Sequence, residues 1–247
     1  MHIDVSFTPH SLTQKKVEGR QVVAIDVLRA SSTMVTALAN GARGIVPVSE
    51  PSQAVEVRAK LGTENALLGG ERNCVKIENF DLGASPLEYS PGVVTGKTIA
   101  MSTTNGTRLF TMFRYSGAVW VGCFLNLGAI CKAVAGDGAD VALLCAGSDG
   151  DFSTEDTLCA GAVIDGLADR YAGELSLNDS AKLALLHYNA NREWLLEAFM
   201  GGEHGRRLIQ LGFQTDIAFA ARIDRYGIAP LFSSGQIALP ETAFLAN

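Results

Sequence analysis

The strongest constraint on this chain is a unit that recurs along it: a short β-branched run, a cluster of small polar residues, then a helix-like stretch. Gln21-Val22-Val23-Ala24-Ile25 runs into Asp26-Val27-Leu28-Arg29-Ala30-Ser31-Ser32-Thr33 and a predicted helix over Met34–Asn40, stopped by Gly41. Gly44–Val48 precedes a helix over Ser52–Leu61, and Ala66–Leu68 leads to Gly69-Gly70-Glu71-Arg72. Thr98–Met101 leads through Ser102–Thr107 to a helix over Arg108–Tyr115. Ala118–Gly122 precedes a helix over Leu127–Ala135, and Asp140–Leu144 meets Cys145–Asp151 before a longer helix over Thr154–Tyr171. Parallel strands need a crossover of a dozen or more residues, which a helix supplies, so this alternation predicts βαβ units. The expected fold class is α/β, layered α/β/α, with a largely parallel or mixed sheet.

Beyond Asn178 the pattern changes. Asp179–Asn189, Arg192–Phe199, Glu203–Leu211 and Asp216–Arg222 read as short successive helices, and Ala229–Leu239 as extended. No low-complexity linker sets this region apart, so residues 1–247 are expected to form a single α/β domain with a helical C-terminal section, two lobes being the alternative.

Composition narrows the function classes. Apolar residues make up 47% of the chain and charged residues 19%, which excludes global disorder. The 20 Lys and Arg against 26 Asp and Glu form no basic stripe, so nucleic acid is not an expected partner. No run of about 18 apolar residues predicts a membrane span, and Met1–Val5 lacks the basic region of a secretory signal. Five cysteines, odd in number and without a C-x-x-C pair, argue against zinc and a disulfide framework. The expectation is a cytoplasmic protein, with pairing into a homo-oligomer left open. Gly92–Thr98 is one residue short of a P-loop and precedes a strand instead of following one, so it reads as a turn. Trp120 and Trp194 lie in apolar surroundings and read as core.

Four polar clusters share one position, the carboxyl end of a predicted strand. Ligands bind there in open α/β sheets because helix N-termini converge with unpaired N–H groups. Asp26 suits a cation or a reacting group, and Arg29, in the first turn that follows, suits a bidentate grip on an anion. Alone, the pair reads equally well as an N-cap acid with a surface arginine. Ser102-Thr103-Thr104-Asn105-Gly106-Thr107 offers hydroxyls and a glycine for close backbone approach, which favours a phosphate or sulfonate. Gly70-Glu71-Arg72 with Phe80-Asp81-Leu82-Gly83 adds two acids and a guanidinium, or else a surface ion pair beside a turn. In Asp149–Asp156, Asp156 or Glu155 either supports a helix N-terminus or completes a magnesium site, since hard cations take carboxylate oxygens. His204-Gly205, ahead of Arg206-Arg207, opens a helix, where a histidine can bind an anion or transfer a proton at neutral pH.

Together, Asp26–Thr33, Gly70-Glu71-Arg72, Phe80-Asp81-Leu82-Gly83, Thr103–Thr107, Thr154-Glu155-Asp156 and His204-Gly205 with Leu208 resemble the 2-phosphosulfolactate phosphatase family, in family order over nearly the whole chain. The resemblance implies a magnesium-dependent phosphatase of α/β fold. Its reaction would convert (2R)-2-phospho-3-sulfolactate to 3-sulfolactate and phosphate, a step in coenzyme M biosynthesis. Two departures bear on substrate contacts: Ala84 stands where a DLGNSP-like segment has asparagine, and Ser153-Thr154-Glu155-Asp156 replaces a form closer to SLED.

On this basis the expected catalytic residues are Asp26, Arg29, Glu71 and His204. Arg72, Thr103, Thr104, Asn105, Gly106 and Thr107 are expected to bind phosphate. Mg²⁺ is expected on Asp26, Asp81 and Asp156, with Glu71 a further acid of the cluster. One acid would activate water while His204 protonates the leaving alkoxide. A covalent phosphate on Asp26 ranks lower, because Leu28 occupies the place where phosphatases of that kind carry a second aspartate. The substrate is a small anionic phosphoester. Two other readings stay open: a phosphatase of a different phosphoester, and a non-catalytic carrier of a phosphorylated or sulfonated acid.

Overall fold

The computed structural model describes residues 1–11, 17–112, 119–136 and 138–240. In chain order its elements are β1 (His2–Ser6), β2 (Gln21–Ile25), α1 (Ala30–Ala39), β3 (Gly44–Pro47), α2 (Pro51–Leu61), β4 (Ala66–Arg72), β5 (Val75–Lys76), α3 (Pro91–Val94), β6 (Thr98–Ser102), α4 (Gly106–Met112) and β7 (Val119–Gly122). These are followed by α5 (Leu127–Ala135), β8 (Val141–Cys145), α6 (Thr154–Ala168), β9 (Ser176–Leu177), α7 (Asp179–Asn191), α8 (Leu195–Gly201), α9 (Glu203–Gln210), α10 (Gln214–Ala220), β10 (Leu231–Ser233) and β11 (Gln236–Ala238). The helix expected over Arg108–Tyr115 is described as far as Met112, and its last expected residues lie outside the described ones.

Local chemistry sets several boundaries. Pro51 stands at the first position of α2, where a missing N–H costs nothing, and Glu50 and Gln53 cap each other reciprocally. Asn178 caps α7 by accepting from the Ala181 N–H.

All strands join one mixed sheet in the order β5-β4-β6-β3-β11-β10-β7-β2-β8-β1-β9. Two parallel sets, β4-β6-β3 and β7-β2-β8-β1-β9, are joined through the antiparallel hairpin β10–β11. Ser234 (φ 52°) and Gly235 (φ 84°) turn this hairpin, both left-handed as a tight two-residue turn demands. The sequence pattern shows an extended tail here, and the strands' place in the middle of the sheet has no local signature. β1 is likewise an addition, a short strand paired parallel to β8.

The central strands are buried on both faces, which explains their near-continuous apolar runs. Val23, Ile25, Leu143 and Cys145 pack on one face against Ile130 and Val134 of α5 and Leu158 and Val163 of α6. Val22, Ala24, Ala142 and Leu144 pack on the other against Met34, Val35 and Leu38 of α1. Burying each such aliphatic side chain is worth about 1.5–3 kcal/mol, so the two apolar layers hold the three-layer arrangement together. The C-terminal helices form as expected. Trp120 is half-buried and donates to Gln21, whereas Trp194 is 64% exposed, which corrects its placement in the core.

Candidate active site

The carboxyl ends of β2, β4, β6 and β8 meet the N-terminus of α9 around a narrow cleft of about 30 Å³. Asp26, Arg29, Glu71, Thr103, Thr104, Asn105 and His204, seven of the residues singled out from sequence, line it together.

Asp26 leaves β2 almost fully buried. Its Oδ1 accepts from the Ala30 N–H at 3.0 Å in the first turn of α1. Gly106 opens α4 against its other oxygen: a Cβ there would lie 2.5 Å from both Asp26 Oδ2 and Ala30 Cβ. The glycine is needed for room. Thr103 and Thr107 fix the loop by reciprocal bonds, Thr107 N–H to Thr103 Oγ1 at 3.0 Å and Thr103 N–H to Thr107 Oγ1 at 3.2 Å. Thr107 is wholly buried in that role and does not line the cleft.

Glu71 ties two walls of the cleft together. Its Oε1 accepts from the Thr104 N–H at 2.6 Å, and its Oε2 accepts from the Cys74 N–H at 2.7 Å and the Thr104 hydroxyl at 3.1 Å. With both oxygens engaged by backbone, its geometry suits positioning better than proton abstraction. The Asn73-Cys74 turn between β4 and β5 is left-handed at both residues and lines the cleft.

Arg29 is held from three sides. Nη1 donates to Asp216 Oδ2 at 2.8 Å, Nη2 donates to the Cys74 carbonyl at 2.6 Å, and the guanidinium lies 4.1 Å above the centre of the Phe213 ring. Asp216 also accepts from the Ser85 hydroxyl at 2.7 Å. His204 has Nδ1 3.2 Å from Ser148 Oγ. Burial, then the nearby charges of Arg29 and Arg207, hold its pKa below the usual histidine value, opposed in part by the Leu28 carbonyl.

Three acids crowd behind the cleft floor. Burial first, then repulsion from Asp156 and Glu71, pushes Asp26 up to about 8. Asp156 is raised to about 7 by burial and by Glu155, while N–H groups of Val27 and Gly147, at 2.8 and 3.1 Å from its two oxygens, pull the other way. Glu155 is also raised to about 7 by burial, helped by Asp26, and its Oε2 is buried with no partner among the described residues.

Two expected residues sit elsewhere. Arg72 turns from the cleft to donate to the carbonyls of Glu71 and Ser49 and to Ser102 Oγ, so it fastens strands and presents nothing to a ligand. Asp81 pairs with Arg58 at 3.1 Å and accepts from the Leu68 N–H at 2.8 Å, which removes it from the carboxylate cluster. Conversely, Arg207, Ser148, Asn73 and Cys74 line the cleft without having been singled out as site residues, and Asp149 and Ala84, noted in the sequence without an assigned role, line it too. Arg207 carried a faint signal, lying three residues after His204 and hence on the same helix face. Asp216, 187 residues from Arg29 along the chain, carried none.

The donors suit a hard cation in kind. Among the described residues no three His, Cys, Asp or Glu side chains stand ready as a metal cage, but Mg²⁺ usually takes one or two carboxylates and completes its shell with water and phosphate oxygens. Asp26 Oδ1 takes the helix N–H and leaves Oδ2 without it, and a divalent ion would offset both the burial and the mutual repulsion that raise Asp26 and Asp156.

The fold and cleft define an α/β protein with a polar cleft at the carboxyl edge of its sheet, the edge where such sheets bind ligands. Residues 6–235 match the family model of 2-phosphosulpholactate phosphatase. Similar proteins include a probable 2-phosphosulfolactate phosphatase of Caldanaerobacter subterraneus subsp. tengcongensis, 38% identical over 95% of this chain and 97% of its own. Another, so named in Thermotoga petrophila, is 40% identical over 97% and 99%. A third, from Clostridium tetani, is 36% identical over 96% and 100%. The chain belongs to the 2-phosphosulfolactate phosphatase family and is a phosphoric monoester hydrolase.

Proposed function

We propose that this protein hydrolyses (2R)-2-phospho-3-sulfolactate to 3-sulfolactate and phosphate with Mg²⁺, as in coenzyme M biosynthesis, in the cytoplasm and with neither nucleic acid nor a membrane as partner. The observation carrying the reading is the convergence of Asp26, Glu71, the Thr103–Asn105 loop, Arg29 and His204 on one cleft in a chain of this family. The substrate is a compact polyanion, and a chain of net charge −6 binds it through local positive elements.

Thr103, Thr104 and Asn105 cradle the phosphoryl oxygens, held in place by Glu71 from one side and the Thr103–Thr107 pair from the other. Asp26, with Asp156 behind it, would hold Mg²⁺, which when bound supplies charge neutralisation to the phosphoryl group. Asp26 orients the attacking water through its carboxylate. His204 carries the proton delivered to the leaving alkoxide oxygen, its ring fixed by Ser148 and its basicity raised as the anionic substrate offsets Arg29 and Arg207. Arg29, clamped by Asp216, adds fixed positive charge to the cleft wall.

Phosphate release from 2-phospho-3-sulfolactate and a panel of acid phosphoesters, with and without EDTA, tests this. Metal-dependent release that Asp26→Ala abolishes supports it. Tight binding without turnover of any panel member would make the protein a carrier. A phosphate adduct trapped on Asp26 by rapid quench would replace direct water attack with a covalent route.

A further inference from the structure

Beside the cleft lies a second, wider bay lined by Phe152, Thr154, Gly202 and Arg206 among others, and four residues line both: Ser148, Asp149, His204 and Arg207. The two cleft arginines differ sharply. The Arg29 side chain is only 3% exposed, and Asp216 and the Cys74 carbonyl hold its two terminal nitrogens, so it is a fixed cation of the inner wall that cannot swing out to a second anion. The Arg207 side chain is 38% exposed, and its one ion pair among the described residues, Nη1 to Asp149 Oδ2 at 2.8 Å, is with a carboxylate that is itself 64% exposed. Such a pair is weak in water and exchanges readily for a better-placed anion.

The substrate proposed above carries its phosphate and carboxylate on the same carbon, while the sulfonate sits one carbon further out. With the phosphoryl group at the Thr103–Asn105 loop, the sulfonate is the longer arm and the better able to reach Arg207 at the junction with the bay. We infer that Arg207 is the specificity residue for the sulfonate, and that Asp149 holds its guanidinium over the junction until substrate displaces it. Asp149 sits at φ 51°, in a turn before Gly150 (φ 95°), a left-handed position that Asp and Asn tolerate. The inference rests on the function proposed above.

Steady-state kinetics on 2-phospho-3-sulfolactate and on 2-phospholactate, which lacks the sulfonate, test it. Arg207→Gln is expected to raise KM for the sulfonated substrate by roughly 10- to 100-fold, the scale of one charge-assisted hydrogen bond, with kcat falling far less. The KM rise for 2-phospholactate is expected to be at least several-fold smaller. Asp149→Asn keeps a residue that tolerates the left-handed turn and is expected to lower KM for the sulfonated substrate, an effect lost when Arg207→Gln is also present. Equal KM rises for both substrates, or a fall in kcat alone, would overturn the assignment while leaving the phosphatase standing. If the wild type turns over neither substrate, the proposed function fails instead. The Arg207 assignment is then decided by calorimetric binding of 3-sulfolactate, supported if Arg207→Gln weakens it and overturned if it does not.

Discussion

Arg29 and Asp216 form an ion pair from which water is almost wholly excluded, their side chains 3% and 2% exposed and the Nη1–Oδ2 separation 2.8 Å. Removing one partner strands the other. Asp216→Ala is expected to destabilise the fold by about 3–5 kcal/mol, as breaking buried pairs does. Urea unfolding of the variant measures this. Replacing both, as Arg29→Met with Asp216→Leu, should recover much of the loss without recovering activity, because the cleft then lacks its fixed cation.

Glu71 serves as a brace. Glu71→Gln keeps the shape but sets an amide N–H₂ against one of the N–H donors of Thr104 and Cys74. A kcat fall of roughly 10- to 100-fold is expected, the scale of a misplaced binding loop, while the thermal shift on adding Mg²⁺ stays close to that of the wild type. Loss of that shift would make Glu71 a metal ligand instead.

Gly106→Ala inserts a methyl group 2.5 Å from Asp26 Oδ2 and from Ala30 Cβ. Neither neighbour can withdraw without moving the start of α1 or α4. Overpacking of this kind costs about 1–3 kcal/mol, and activity is expected to fall far more steeply than stability. Parallel chemical denaturation and phosphate-release assays separate the two effects.

Asp26 and Asp156, raised to about 8 and about 7 from ordinary values near 3.8, hold protons in the metal-free native state that the unfolded chain has already released. Folding therefore takes up protons between these limits, and the contribution of these groups to stability falls as pH rises from about 4 towards 8. With EDTA present, the melting temperature is expected to fall between pH 5.5 and 8, and Asp26→Asn should flatten the decline. Added Mg²⁺ should stabilise the wild type more at pH 8 than at pH 5.5.

Much of this architecture was legible because parallel central strands, buried on both faces, leave apolar runs that end abruptly where the chain turns polar. Asp26, Thr103 and Glu71 stand at such ends, so their meeting in space follows from topology. Arg72 and Asp81 obeyed the same local rule and landed elsewhere: which way a side chain leaves its backbone depends on partners such as Ser49 and Arg58, brought close only by folding. Asp216 and Arg207 come from the C-terminal helices, whose docking over the sheet edge leaves no periodic trace. The hairpin hid for a related reason, since a short β-ribbon looks alike whether it lies at a margin or in the middle of a sheet.

That hairpin is the seam between the two halves of the site. Asp26 and the Thr103–Asn105 loop belong to different parallel sets, joined side by side only through Leu231–Ser233 and Gln236–Ala238. Without those two strands, β3 and β7 would each show a bare edge open to wrong pairing. The two halves of the cleft are thus braced against each other by a ribbon that supplies none of its lining residues.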